Sequence, residues 1–132
     1  MTDTEQRALA PFHFVVEPSA VSRIAQILRD PNPIHFDPNA VRAAGLGVRP
    51  INQGPANLAY AVNMLLAAYP GYRIAEIRSR YLANVLVSDP VEALGEAEPS
   101  DGTEVRCRFR VVNGAGQDAV VGSATLVRHD PA

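Results

Sequence analysis

Hydrophobic positions change their period several times along the chain, and each change predicts an element. Phe12, Phe14 and Val16 alternate with other residues, the period of a strand. After Pro18, Val21, Ile24, Ile27 and Leu28 recur at three and four, the spacing of a helix that Ser19 can cap. Asp37-Pro38 starts a short helix, with the cap followed by proline at the first helical position, and Gly45 is a natural stop. Gly54-Pro55 opens a longer helix that runs to about Tyr69, before Pro70-Gly71. Between Ala56 and Ala68 only Asn57 and Asn63 are polar, and a helix apolar nearly all round is expected to be enclosed by protein.

From Gly71 onward the period falls to two. In 73–87, Ala75, Ile77, Ser79, Tyr81, Ala83 and Val85 share one face, and Glu76, Arg78 and Arg80 the other. In 103–111, Val105, Cys107, Phe109 and Val111 alternate with Glu104, Arg106, Arg108 and Arg110. Both read as half-buried antiparallel strands. Two more strands fit 91–98 and 118–128, and Asn113-Gly114-Ala115-Gly116 supplies a hairpin turn before the last. Four or five strands need one face covered and the apolar helix needs covering. A sheet curled around that helix satisfies both, so the expected class is α+β, an antiparallel sheet wrapped around a long central helix.

Composition narrows the picture. The 132 residues fit one domain, read as 11–132 behind a loose terminus at 1–10. A net charge of -2 gives no reason to expect a nucleic-acid binder. The single Cys107 offers neither an internal disulfide nor a zinc cluster, and in its strand it packs rather than reacts. His13 and His129 lack a partner pattern, and three dispersed histidines make no metal site. Met1 to Arg7 is polar and lacks an apolar signal core, and the apolar run near 63–69 is too short for a membrane span. The expected compartment is the cytoplasm, with no membrane partner.

The chemistry concentrates in Asp30-Pro31-Asn32-Pro33-Ile34-His35. Each proline fixes its own φ and pushes the preceding residue toward extended geometry, so the first helix should stop near Arg29. A stiffened polar loop carrying an acid and an imidazole is a candidate catalytic element. Residue types alone leave a plainer alternative, a helix-ending acid beside a surface histidine. Asn32 reads as holding the loop through local backbone bonds. Arg78 and Arg80 read as a solvated strand face, with a phosphate contact as the alternative.

In that setting the hexapeptide resembles the core pattern of the MaoC-like, or hydratase 2, branch of the hotdog fold. So do Phe36-Asp37, Ala43 to Gly47, Ile51 to Gly54, Tyr81 to Asp89 and Gly122-Ser123-Ala124, together spanning roughly 12–128. The chain departs from the family's habit at Leu28-Arg29, at Asn52-Gln53 and at Asn84. The resemblance implies an (R)-specific enoyl-CoA hydratase, or 3-hydroxyacyl dehydratase, of fatty acid metabolism. It implies that Asp30 and His35 hold one water at the enoyl β-carbon and that the Gly54 N–H receives the thioester oxygen, with Asn32 beside the substrate. No cofactor or metal is implied. The partner would be an acyl-CoA or acyl-carrier-protein thioester, and the assembly a homodimer or a heterodimer. Two other readings stand beside it. One is a non-catalytic or partner subunit of a heteromeric enoyl-CoA hydratase acting on a bulky sterol or polyketide-type acyl group. The other is a hotdog thioesterase.

Overall fold

A computed structural model describes residues 5–129. Its elements are β1 (Arg7–Ala8), β2 (Phe12–Val15), α1 (Pro18–Leu28), a 3-10 turn (Pro33–His35), α2 (Pro38–Ala43), α3 (Gly54–Ala68), β3 (Tyr72–Tyr81), β4 (Pro90–Ala97), β5 (Glu104–Val112) and β6 (Asp118–Arg128). The sheet runs β1-β4-β5-β6-β3, with β2 also paired to β4, and every pairing is antiparallel. Its inner face packs on α3: Tyr60, Ala61, Met64 and Leu65 of the helix share one core with Val91, Ala93, Val105, Phe109, Val111 and Leu126. The wrapped α+β architecture read from the periods is therefore the one observed.

β5 carries the expected alternation intact, with Val105, Cys107, Phe109 and Val111 buried and the intervening Glu104, Arg106, Arg108 and Arg110 exposed. β3 departs from it. Its register with β6 slips between Ile74 and Glu76, so Ala75 is an extra, exposed residue and Ile74 joins Ile77 in packing on the core. The strand also ends at Tyr81 rather than near Val87. Beyond it, Leu82 and Ala83 both donate to the Ala119 carbonyl, and the chain leaves the sheet so that Val85 and Val87 can bond Asn52 and Pro50.

Four further expectations change. Helix α1 starts two residues earlier than a Ser19 cap requires: Glu17 is the N-cap and Pro18 occupies the first turn, where its fixed φ suits the helix. Of the apolar residues on α1, Val21 is buried, whereas Ile27 is 78% and Leu28 44% exposed. Arg7–Ala8, inside the segment read as loose, pairs with Ala97 and Glu96 of β4, and Leu9 is buried beside them. Finally, α3 is covered on one side only. Ala56, Asn57, Tyr60, Ala61, Met64 and Leu65 are buried, but Ala59, Asn63, Leu66 and Ala67 face outward, because the sheet curls around a single side of the helix.

Cys107 is fully buried in β5, and desolvation pushes its thiol up to about 11. The thiolate is the reactive form, so the folded protein is expected to resist alkylation at about pH 8.5, where an unfolded thiol is half ionised. Timed iodoacetamide labelling with and without denaturant checks this. Equal rates in the two conditions would contradict the burial.

Candidate active site

The site begins where α1 ends. Arg29 takes the left-handed conformation (φ 52°), the Asp30 N–H donates to the Ala25 carbonyl at 2.9 Å, and the Arg29 N–H donates to Gln26 at 3.3 Å. This pair of bonds closes the helix and turns the chain sharply. A non-glycine residue in that region costs about 1–2 kcal/mol, and at this position the cost is spent on aiming Asp30.

The proline loop then folds back. Asp30 Oδ1 accepts from the Asn32 N–H at 3.1 Å, and Asn32 Oδ1 accepts from the Ile34 N–H at 3.2 Å, capping the 3-10 turn. Asn32 is thus seen shaping the loop. The turn returns His35 to its starting acid, with Nε2 3.1 Å from Asp30 Oδ2. The imidazole is buried, while about a third of the Asp30 side chain remains exposed. The acid and imidazole that are five residues apart in sequence are therefore in contact.

A second segment completes the arrangement. His35 Nδ1 lies 2.6 Å from the Ile51 carbonyl oxygen, and the Ile51 N–H donates to the Ile34 carbonyl at 2.9 Å. A carbonyl only accepts, so Nδ1 carries a proton. Nε2 then faces a carboxyl oxygen, and a hydrogen bond between them needs one proton on one of the two. The pair can therefore share one proton and still offer an acceptor. Ile51 is itself fixed, since it bridges Leu86, Asn52 donates to Val85, and Val87 donates to Pro50. The 85–89 turn is held by the buried Asp89, which accepts from the Leu86 N–H at 3.0 Å and pairs with Arg49 at 3.2 Å.

Three residues beyond Ile51, α3 begins. Gln53 is its N-cap but does not cap through its side chain. Its Nε2 donates to the Val21 carbonyl of α1 at 2.9 Å, while its Oε1 is buried without a hydrogen-bond partner among the described residues. Pro55 brings no N–H. The Gly54 and Ala56 amides are left as the donors of the first turn, at the positive end of a fifteen-residue helix. The Tyr81 ring lies against Gly54, 3.3 Å from the position a Cβ would take. Helix α1, which aims Asp30, and helix α3, which starts at Gly54, are joined by the Gln53 to Val21 bond. An open groove of about 550 Å³, with Ala25, Arg29, Pro31 and Phe36 in its walls, leads to Asp30.

The two asparagines of α3 separate. Asn57 is buried and accepts from Asn52 Nδ2 at 2.8 Å, and the same Nδ2 donates to the Tyr60 hydroxyl at 2.9 Å. Burial raises the Tyr60 hydroxyl above its ordinary range, with the Asn52 bond opposing the shift. Phe14 stacks on the Tyr60 ring at 4.9 Å. Asn57 is thus a satisfied core amide, and Asn63 is exposed. Arg78 pairs with Glu76 at 2.6 Å on the exposed sheet face, consistent with a solvated strand surface. The sequence reading missed the Ile51 carbonyl, the Gln53 bridge and the closeness of Tyr81 to Gly54. A backbone acceptor carries no side-chain signature, and the other two depend on which elements meet.

Comparison with solved structures supports this arrangement as a known fold. The (R)-hydratase from A. caviae involved in PHA biosynthesis superposes with a TM-score of 0.84 at 21% identity, over 98% of both chains. A chain of the ChsH1-ChsH2 complex from Mycobacterium tuberculosis gives 0.80 at 18% identity, over 92% of this chain and 95% of that one. A chain of the truncated HadBC (3R-hydroxyacyl-ACP dehydratase) complex, also from Mycobacterium tuberculosis, gives 0.74 at 17%, over 95% and 98%. At these identities the likeness is one of fold, the hotdog fold. No curated protein matches the sequence significantly. The MaoC like domain profile, by contrast, matches residues 4–119, a span that holds the Asp30–His35 loop, the start of α3 and the whole sheet as far as the beginning of β6, and the chain accordingly belongs to the MaoC-like domain family.

Proposed function

We propose that this chain adds water to trans-2-enoyl-CoA to give (3R)-hydroxyacyl-CoA, or runs the reverse dehydration. The contact between Asp30 Oδ2 and His35 Nε2 carries this reading. Hydration needs a base for the water, an acid for the α-carbon and a donor for the enolate oxygen. A pair that shares one proton and still offers an acceptor meets the first two needs together. It takes a proton from water as the hydroxyl bonds to the β-carbon. The electron pair of the double bond moves onto the thioester as an enolate, and the pair then gives one proton to the α-carbon. The pair ends with the proton count it began with. The Gly54 N–H receives the enolate oxygen, with the Tyr81 ring filling the space a Cβ would take. Asn32 keeps the loop in shape beside the substrate. The reaction involves no redox change and needs no cofactor. The carrier is CoA or an acyl carrier protein, and the setting is cytoplasmic fatty acid metabolism.

The assembly proposed is a dimer. β3 is an edge strand, and the outward side of α3 exposes Ala59, Leu66 and Ala67. A free edge next to an apolar helix face favours pairing with another subunit. A second reading makes that subunit a different one, acting with this chain on a bulky acyl group. It is favoured by the likeness to chains of two heteromeric complexes and by Asn52-Gln53 before α3.

The test mixes purified protein with crotonyl-CoA and longer enoyl-CoAs and follows loss of conjugated thioester absorbance together with free thiol. Asp30→Asn and His35→Ala are each expected to lower the hydration rate at least ~100-fold while the fold, read by circular dichroism, is kept. Thiol release in place of hydration would make the chain a thioesterase, and silence with every substrate, alone and with candidate partner subunits, would sink the enzyme reading. Light scattering on the same sample is expected to give twice the 14.2 kDa chain mass. A monomer that hydrates at full rate would contradict the dimer.

A further inference from the structure

Tyr81 is the last residue of β3, and its side chain sits at the start of α3. The ring packs on Gly54: its Cε1 is 3.3 Å, and its Cδ1 and Cζ 3.7 Å, from where a Cβ would stand, with the hydroxyl one bond beyond Cζ. A Cβ at position 54 would press on the ring and ask it to give by a few tenths of an ångström. The mount is rigid. Tyr81 pairs with Val120 of β6, and the next two N–H groups both hold the Ala119 carbonyl. Even so, the residue is 52% exposed, and its hydroxyl bonds to nothing among the described residues. A tyrosine whose backbone is held in the sheet, whose ring rests on Gly54 and whose hydroxyl is unspent offers a donor near the first amide of the helix.

The first turn keeps the Gly54 and Ala56 amides, and only Gly54 stands at the tip beside the Tyr81 ring. Pro55 removes one amide from the first turn, and the Gln53 side chain is engaged with Val21 instead of that turn. An enolate oxygen is best held by two donors, each placed before the charge develops. Gly54 supplies one. From this geometry we infer that the Tyr81 hydroxyl supplies the second, donating a hydrogen bond to the thioester oxygen opposite the Gly54 N–H. No proton is transferred, because the phenol only shares its hydrogen with the developing oxyanion. An alanine Cβ at 54 would press the ring, and with it the hydroxyl, by a few tenths of an ångström.

The inference rests on the hydratase reading, so two readouts separate them. The first is steady-state hydration of crotonyl-CoA by the full chain. Tyr81→Phe removes only the hydroxyl and keeps the ring on Gly54. It is expected to lower kcat about 100-fold, as loss of one oxyanion donor does, with KM changed by about twofold at most. The second uses acetoacetyl-CoA, whose enolate has its own ultraviolet band. The wild type is expected to shift bound acetoacetyl-CoA toward enolate, and Tyr81→Phe to lose that shift. A Tyr81→Phe protein matching the wild type in both readouts, while Tyr81→Ala loses both, reduces the residue to packing and overturns the inference. Tyr81-dependent enolate formation without hydration keeps the inference and overturns the hydratase reading. Full hydration with no Tyr81 dependence in either readout does the reverse, and a wild type showing neither signal overturns both.

Discussion

The 2.6 Å hydrogen bond from His35 Nδ1 to the Ile51 carbonyl is the contact on which the rest of the site depends. It does two things at once. It joins the proline loop at the end of α1 to the segment that leads into α3, so that acid, imidazole and helix start share one end of the molecule. It also decides which ring nitrogen is free for chemistry. With Nδ1 committed to a carbonyl, Nε2 is the nitrogen that faces Asp30. The surrounding bonds keep Ile51 in place: Ile34 from one side, and Val85, Leu86 and Val87 from the other, backed by the buried Asp89.

Much of this was legible in the sequence, for physical reasons that differ by element. β5 could be read residue by residue because a strand paired on both sides, with one face buried, must alternate. β3 could not, because the bulge at Ala75 shifts the alternation by one residue and depends on the register with β6. The long helix was recognisable from its apolar run. Which of its sides the sheet would cover was not, since Ala59, Leu66 and Ala67 look no different in sequence from Ala56 and Leu65. The Asp30 to His35 loop was the clearest local signal, as two prolines leave the chain few ways to run. Its contact with Ile51, and that of Tyr81 with Gly54, are products of tertiary packing between elements and leave no local trace.

Three residues that frame the site, Arg29, Asn52 and Gln53, have distinct structural roles. Arg29 occupies a left-handed position at the end of α1. Asn52 ties together Asn57 and Tyr60 in the core. Gln53 bridges to α1 and leaves its carbonyl oxygen buried without a partner. A polar network therefore lies beneath the start of α3. Buried polar groups cost stability unless satisfied, so the bonds of Asn52 and Gln53 restrain the helix start while the unpartnered Gln53 oxygen opposes them.

The central claim is that the Ile51 carbonyl fixes His35 with its proton on Nδ1 and Nε2 turned to Asp30. Long-range proton–nitrogen NMR of the His35 ring in nitrogen-15-labelled protein tests it most directly. The account predicts a protonated Nδ1, and an Nε2 signal that moves when Asp30 is replaced by asparagine. A neutral ring bearing its proton on Nε2, with Nδ1 bare, would contradict it.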